Sequence, residues 1–278
     1  MKTKIFIMIA GLMLALFSCQ KDSDVIDQKT LDDVDFDAVA DAVFEDIFNA
    51  AEDASFSAEP VAKGEATEMA DCPVITITHP EGALWPKTVT LDYGTGCTGF
   101  NNNTRAGRII TVVTGPRMTT GSKRTVTLEN YSFNDIKVEG TKVFENKGLN
   151  ANNNMVVSVT LTGGKTTFPD GKTIERTVNH EREWIAGLST RNIFDDECLI
   201  TGTASGKNRR GVEYTNKITT PLHWTRACKF ITEGVVEISL SGQDKPMTLN
   251  YGNGDCDAKA TVTRGDQSKE ILLRHKVN

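Results

Sequence analysis

From Cys72 onward apolar and polar residues take alternate positions, and this period of two constrains the fold more than any other feature of the chain. Val74-Ile75-Thr76-Ile77-Thr78, Thr88-Val89-Thr90-Leu91 and Arg124-Thr125-Val126-Thr127-Leu128 begin the series. Met155–Leu161, Val235–Leu240 and Lys269–Leu273 continue it. Successive side chains of a strand point to opposite faces, so such alternation marks strands with one buried and one wet face. β-Branched residues and Thr dominate these runs, as strands favour. The breaks carry Gly or Asn, as in Asn101-Asn102-Asn103, Gly163-Gly164 and Asp170-Gly171, which is turn chemistry. No helix of length is expected after Asp71, and Asn192–Glu197 supplies at most one turn. About a dozen strands in sequence-adjacent hairpins predict an all-β domain over 72–278. It is an antiparallel meander, folded as a sandwich or as an open, barrel-like curved sheet.

Within this domain one cassette occurs twice. The first copy opens at Cys72 and reaches Leu91-Asp92-Tyr93-Gly94-Thr95-Gly96-Cys97; the second opens at Cys228 and reaches Leu249-Asn250-Tyr251-Gly252-Asn253-Gly254-Asp255-Cys256. In each, a cysteine starts one strand and another follows the end of the next. Adjacent antiparallel strands bring those two places together, within disulfide reach. The expected bridges are Cys72–Cys97 and Cys228–Cys256, each stabilising by about 3–3.5 kcal/mol in the chain-entropy treatment. Cys198 is left as a buried free thiol.

Charge is divided unevenly. Residues 20–71 hold three Lys against sixteen acids, net −13, whereas 72–278 hold 26 Lys or Arg against 21 acids, net +5. An acidic arm beside a mildly basic domain suggests two separate roles, with the arm standing away from an anionic membrane surface. The basic excess is ordinary solubility charge or a surface for acidic glycans, and no nucleic-acid partner is expected. Within the arm, 30–51 reads as a helix. Thr30 and Asp33 form a capping-box-like start, and Phe36, Val39, Ala40, Val43, Ile47 and Ala50 make one apolar stripe. That stripe must dock on the β domain or on a partner. Residues 19–29 read as a tether and 52–71, with Pro60 and Gly64, as a linker.

The N-terminus carries Lys2 and Lys4, then an apolar run from Ile5 to Phe17, then Ser18 and Cys19. About 20 apolar residues are needed to span a bilayer, so this order reads as a signal peptide over 1–18. Leu16-Phe17-Ser18-Cys19 resembles the lipobox of bacterial lipoproteins. The resemblance implies cleavage before Cys19 and diacylglyceryl (palmitate-class) lipid on its sulfur, and two or more acyl chains anchor stably where one does not. Gln20-Lys21-Asp22-Ser23-Asp24 resembles the acidic export signal of Bacteroidota lipoproteins. With the Tyr-Gly-x-Gly cassettes, the chain resembles secreted lipoproteins of that phylum, which implies an outer-membrane site, facing the cell surface or else the periplasm. The family carries no catalytic residues to transfer.

The search for chemistry yields little. Gly202-Thr203-Ala204-Ser205-Gly206-Lys207-Asn208 is one residue short of a phosphate loop and lacks its closing Ser or Thr. There is no Gly-x-Ser-x-Gly elbow. The cysteine gaps and His79, His180, His223 and His275 share no metal-ligand spacing, so neither a metal nor another cofactor is expected. Asp255 and Asp257 suggest calcium, but the first cassette lacks both acids, which favours turn chemistry. Glu181 and Glu183 are the best paired carboxylates, on one face of a strand with backbones about 6–7 Å apart, near the about 5–5.5 Å between carboxyls of retaining glycosidases. Yet Glu175, Asn179, Glu181 and Glu183 share one parity while Ile174, Val178 and Trp184 share the other, the pattern of a strand with a wet face. Trp85, Trp184 and Trp224 could stack on sugars or pack in the core. Lys207-Asn208-Arg209-Arg210 is a basic hairpin tip that could meet an anionic ligand or simply be a solvated turn. The expected function is that of a non-enzymatic envelope lipoprotein binding a glycan or envelope protein. The alternatives are a surface polysaccharide hydrolase using Glu181 and Glu183, and a fimbrial or assembly subunit.

Overall fold

The computed structural model describes residues 25–57, 72–99, 102–190, 192–228 and 230–273. The signal peptide, Cys19, the first part of the tether and residues 58–71 of the linker lie outside the described residues.

Among the described residues every strand joins one antiparallel sheet that does not close on itself. The strands are β1 (Val74–Thr78), β2 (Lys87–Asp92), β3 (Cys97–Thr98), β4 (Thr104–Val113), β5 (Lys123–Phe133), β6 (Ile136–Leu149), β7 (Met155–Thr167) and β8 (Thr173–Ala186). They continue as β9 (Glu197–Lys207), β10 (Glu213–Thr225), β11 (Glu233–Leu240), β12 (Met247–Asn253), β13 (Lys259–Arg264) and β14 (Gln267–Leu272). Each pairs with its chain neighbour, except that β2 pairs directly with β4 and the two-residue β3 lies beside β4. The all-β meander is therefore the open curved sheet rather than the sandwich.

The turns follow from their residues. Asn134 and Asp135 link β5 to β6 with φ of 47° and 63°, the left-handed pair a two-residue hairpin needs. The bend of the sheet is set where side chains are absent. A Cβ on Gly206 would lie 1.8 Å from the Glu175 carbonyl oxygen, so β8 and β9 approach there more closely than any other residue permits. Beside it the β7–β8 register slips between Leu161 and Gly164, and the β6–β7 register slips between Glu139 and Thr141. Bulges of this kind bend the strands that carry them.

What it bends around is the helix α1 (Gln28–Ser57), longer than the sequence predicts at both ends. Asp27, not Thr30, caps it: the Thr30 amide donates to Asp27 Oδ1 at 2.8 Å, and hydrogen bonding from the Thr30 side chain together with this amide holds the Asp27 carboxyl below its usual value. Residues 52–57 belong to the helix rather than to a linker. Nor does burial follow one stripe. Val34, Val39, Ala40, Val43, Phe44, Ile47, Phe48, Ala51 and Ala54 are all buried, because sheet lies on more than one side. Phe36 meets Phe168 edge-on at 5.2 Å and Phe48 meets Phe144 at 4.6 Å between ring centroids. Ile26 is anchored to β14, where its amide donates to Gln267 and its carbonyl accepts from Lys269 at 2.6 Å. The helix and the sheet's inner face form a single apolar core.

Both expected disulfides are present, Cys72–Cys97 with Cα atoms 6.3 Å apart and Cys228–Cys256 with 5.7 Å. Cys198 is a buried free thiol, which burial pushes up to about 12.

Candidate functional site

The helical part of the acidic arm lies against the β domain. Asp37 and Asp41 both pair with Arg176, at 3.0 and 2.9 Å, and Glu45 receives Arg182 at 2.6 Å. Asp46 pairs with Arg105, Asp53 with Arg226 at 2.5 Å, and Glu52 with both Arg117 and Arg124. Asp33 takes Arg210 at 2.5 Å and the Asn208 amide at 2.7 Å. Seven carboxylates of α1 thus meet seven arginines of the strands and turns of the β domain, and the helix and that domain form one unit. Sequence reasoning missed this, although a signal was available: Arg176 and Arg182 sit at the same strand parity as Ile174, Val178 and Trp184, where charge is out of place without a partner.

The basic hairpin tip is part of the same contact. Arg209 lies 3.7 Å from the Phe36 ring centroid and 4.9 Å from that of Phe168, and also pairs with Asp170. With Arg210 on Asp33, the turn clamps the start of α1. Trp184 and Trp224 are 4% and 7% exposed, so neither offers a stacking surface to solvent; both face inward because they fall on the buried parity of β8 and β10. Trp85 carries the Lys87 ammonium 4.7 Å from its ring centroid.

Glu181 and Glu183 stand on the outer face of β8. Glu183 accepts a hydrogen bond from Asn154 Nδ2 at 2.7 Å, and that bond, with Asn150 and Asn152 alongside, holds its carboxyl below the usual value. A glycosidase general acid needs the opposite displacement.

An outer groove of about 800 Å³ crosses β7–β11 and is continued by one of about 450 Å³. Its side chains run in rows set by strand register. Lys165, Glu175, Lys207 and Glu213 are successive cross-strand neighbours, alternating in charge. The next row is Thr177, Ser205, Thr215 and Ser239, all hydroxyls. The third begins Asn179, Thr203, Lys217 and Glu237. A floor of short hydroxyl side chains between two charged or amide rows is dense in donors and acceptors. Among the described residues no group of three or more His, Cys, Asp or Glu is placed to hold a metal ion, and no helix is long and apolar enough to cross a membrane. No protein-family model, no curated protein and no solved structure matches the chain.

Proposed function

We propose that this chain is an envelope lipoprotein, tied to the outer membrane through acyl chains on Cys19 and facing the cell surface. In this reading its β body is a non-enzymatic binding module that takes a glycan or a glycan-bearing envelope protein across the outer groove. The lipobox Leu16-Phe17-Ser18-Cys19 supports the anchor. The observation that carries the binding role is the hydroxyl row Thr177–Ser205–Thr215–Ser239 flanked by alternating Lys and Glu. Such a surface matches the hydroxyl-rich edge of a saccharide through hydrogen bonds rather than through aromatic stacking.

The anchor is tested by metabolic labelling with palmitate: the wild-type chain takes label and Cys19→Ala does not. An unlabelled wild type removes the anchor. For the groove, the full chain in detergent is presented to glycans and envelope extract at low salt. Ser205→Trp, at an exposed position on the groove floor, loses binding at least about tenfold while its fold is unchanged. Absence of binding by the wild type, or equal binding by Ser205→Trp, ends the groove reading.

A further inference from the structure

Between α1 and the inner face of β6–β10 lies a cavity of about 160 Å³, close to the size that holds one benzene molecule. Its walls are apolar where Phe44, Val159, Leu161, Leu222 and Trp224 meet it. The helix leaves the space open by presenting Ala38 and Ala42, one turn apart, where larger residues would fill it. A smaller space of about 60 Å³ shares Ala38, Asp41, Arg176, His180, Leu222 and Tyr251 with it, which adds room for a polar head.

Charge in the cavity is concentrated. Lys142, Arg176 and Arg182 line it, opposed by Asp41 and Glu45 of the helix, with Asp37 behind on Arg176. The Nε atoms of Arg176 and Arg182 are buried without a hydrogen-bond partner in the protein, and buried donors of that kind call for an acceptor. Asp41 keeps 48% of its side chain accessible although α1 is wrapped by the sheet, because it faces this open space. We propose that the cavity is a binding site for a small carboxylic acid whose apolar body is no larger than a six-membered ring. The ring would occupy the Phe44–Leu222–Trp224 side and the carboxylate the Lys142–Arg176–Arg182 side.

The titrating groups favour an anion. Partial desolvation where α1 meets the sheet pushes Asp41 up to about 7 although nearly half of its side chain stays accessible, with Asp37 and Glu45 adding to the effect and Arg176 and Lys142 opposing it. Burial draws Lys142 down to about 8, with Arg182 and Arg176 in the same direction and Glu45 and Asp41 against. His180 is held neutral, down to about 3, by burial and by Arg176, Arg182 and Lys142. The Tyr251 phenol, facing the cavity from β12, is raised by burial and stays protonated. With Asp41 protonated and Lys142 charged the lining has a net positive charge, so an arriving carboxylate stabilises that state and binding takes up protons.

The test uses benzoate, benzylamine and toluene as probes on the full chain in detergent, followed by calorimetric titration. Benzoate binds with a dissociation constant below about 1 mM at pH 6 and at least about tenfold more weakly at pH 9, as Asp41 and then Lys142 lose protons. Ala42→Leu and Ala38→Leu fill the space; each melts no lower than wild type and loses benzoate binding. Should either variant fold poorly, the wild-type pH profile and the probe order decide alone. Three results overturn the proposal: no benzoate binding at pH 6, tighter binding of benzylamine with affinity rising toward pH 9, or undiminished benzoate binding in both folded variants. None of these outcomes bears on the outer groove or on Cys19.

Discussion

The two faces of β8 carry similar residue types to opposite ends. Inward, Arg176 and Arg182 are interleaved with Ile174, Val178 and Trp184, and each arginine meets a helix carboxylate. Outward, Glu175, Thr177, Asn179 and Glu181 face solvent. A charge on the outer face is screened and its partner is exchangeable. One on the inner face has lost much of its hydration, so a partner at a fixed position is obligatory. The inner pairs therefore do something the outer ones do not: they fix where along the trough α1 lies. Apolar contact alone would tolerate a shift of the helix by one turn; eight acid–arginine pairings do not. The inner face specifies position, and the outer face stays free to meet a partner.

Breaking an inner pair gives the largest expected effect. Glu45→Ala leaves the Arg182 guanidinium, 5% exposed, without its nearest anion. The expected cost is about 3–5 kcal/mol in denaturant unfolding, toward the lower figure because Glu45 itself is a quarter exposed. Replacing both partners, Glu45→Leu with Arg182→Met, recovers most of that loss, since the penalty lies in the orphaned charge. If the single and double variants are equally unstable, the pair's role is packing and the distinction between the faces weakens.

The disulfides secure the sheet outside the trough, and their removal ranks next. Cys228→Ser with Cys256→Ser opens a loop of 28 residues and lowers stability by about 3 kcal/mol. The same exchange at Cys72 and Cys97, across 25 residues, has nearly the same effect. Paired unfolding curves check both. A loss confined to one cassette would mean that the two copies of the repeat do not staple the sheet equivalently.

Asp41 sharpens the comparison through pH. Its folded value, about 7, lies above the 3.8 of an unperturbed aspartate, so between those values the folded chain holds a proton that the unfolded chain has released. Asp41 therefore stabilises below about pH 4, and its contribution is lost as pH rises to about 7. Asp41→Asn mimics the protonated form. Its melting midpoint matches wild type near pH 4 and rises above it toward pH 8, by about 2–4 °C for each kcal/mol in a domain of this size. His180 has the opposite slope between about 3 and 6.5, since its neutral folded form resists protonation, but it acts on both proteins and drops out of the difference. A variant that loses stability toward pH 8 would mean that ionised Asp41 is a favourable partner of Arg176.

Much of this was legible in the residues. Alternation from Cys72 marks the strands and their wet faces, and the cassettes place both disulfides, because period and adjacency are local properties. The closure of the sheet was not legible, since sandwich and open trough share one alternation and differ only at features such as the bulge beside Gly164 and the close strand approach at Gly206. The helix was readable as a helix with one apolar stripe to dock, but not as an element buried on more than one side. Nothing beside the acids in the chain names their partners, and only the matching arginines, more than a hundred residues away at Arg176 and Arg182, turn them inward. The same distance hid the cavity, whose lining comes from α1, five adjacent strands and the C-terminal part of the sheet.

The smallest effect is the most direct check on the outer face. Lys137 and Glu139 are joined at 3.1 Å on β6 with side chains 55% and 46% exposed, a bond no longer than several of the inner ones. Length alone would rank it with Arg176–Asp37, at 3.0 Å with Arg176 6% exposed. Hydration ranks it far lower, because both partners keep their water when apart. A double-mutant cycle through Lys137→Ala and Glu139→Ala returns a coupling under about 0.5 kcal/mol that fades with added salt. The corresponding cycle through Glu45 and Arg182 returns several times that and changes little with salt. Equal couplings would make exposure irrelevant to these pairs, and the inner arginines would no longer account for where the helix lies.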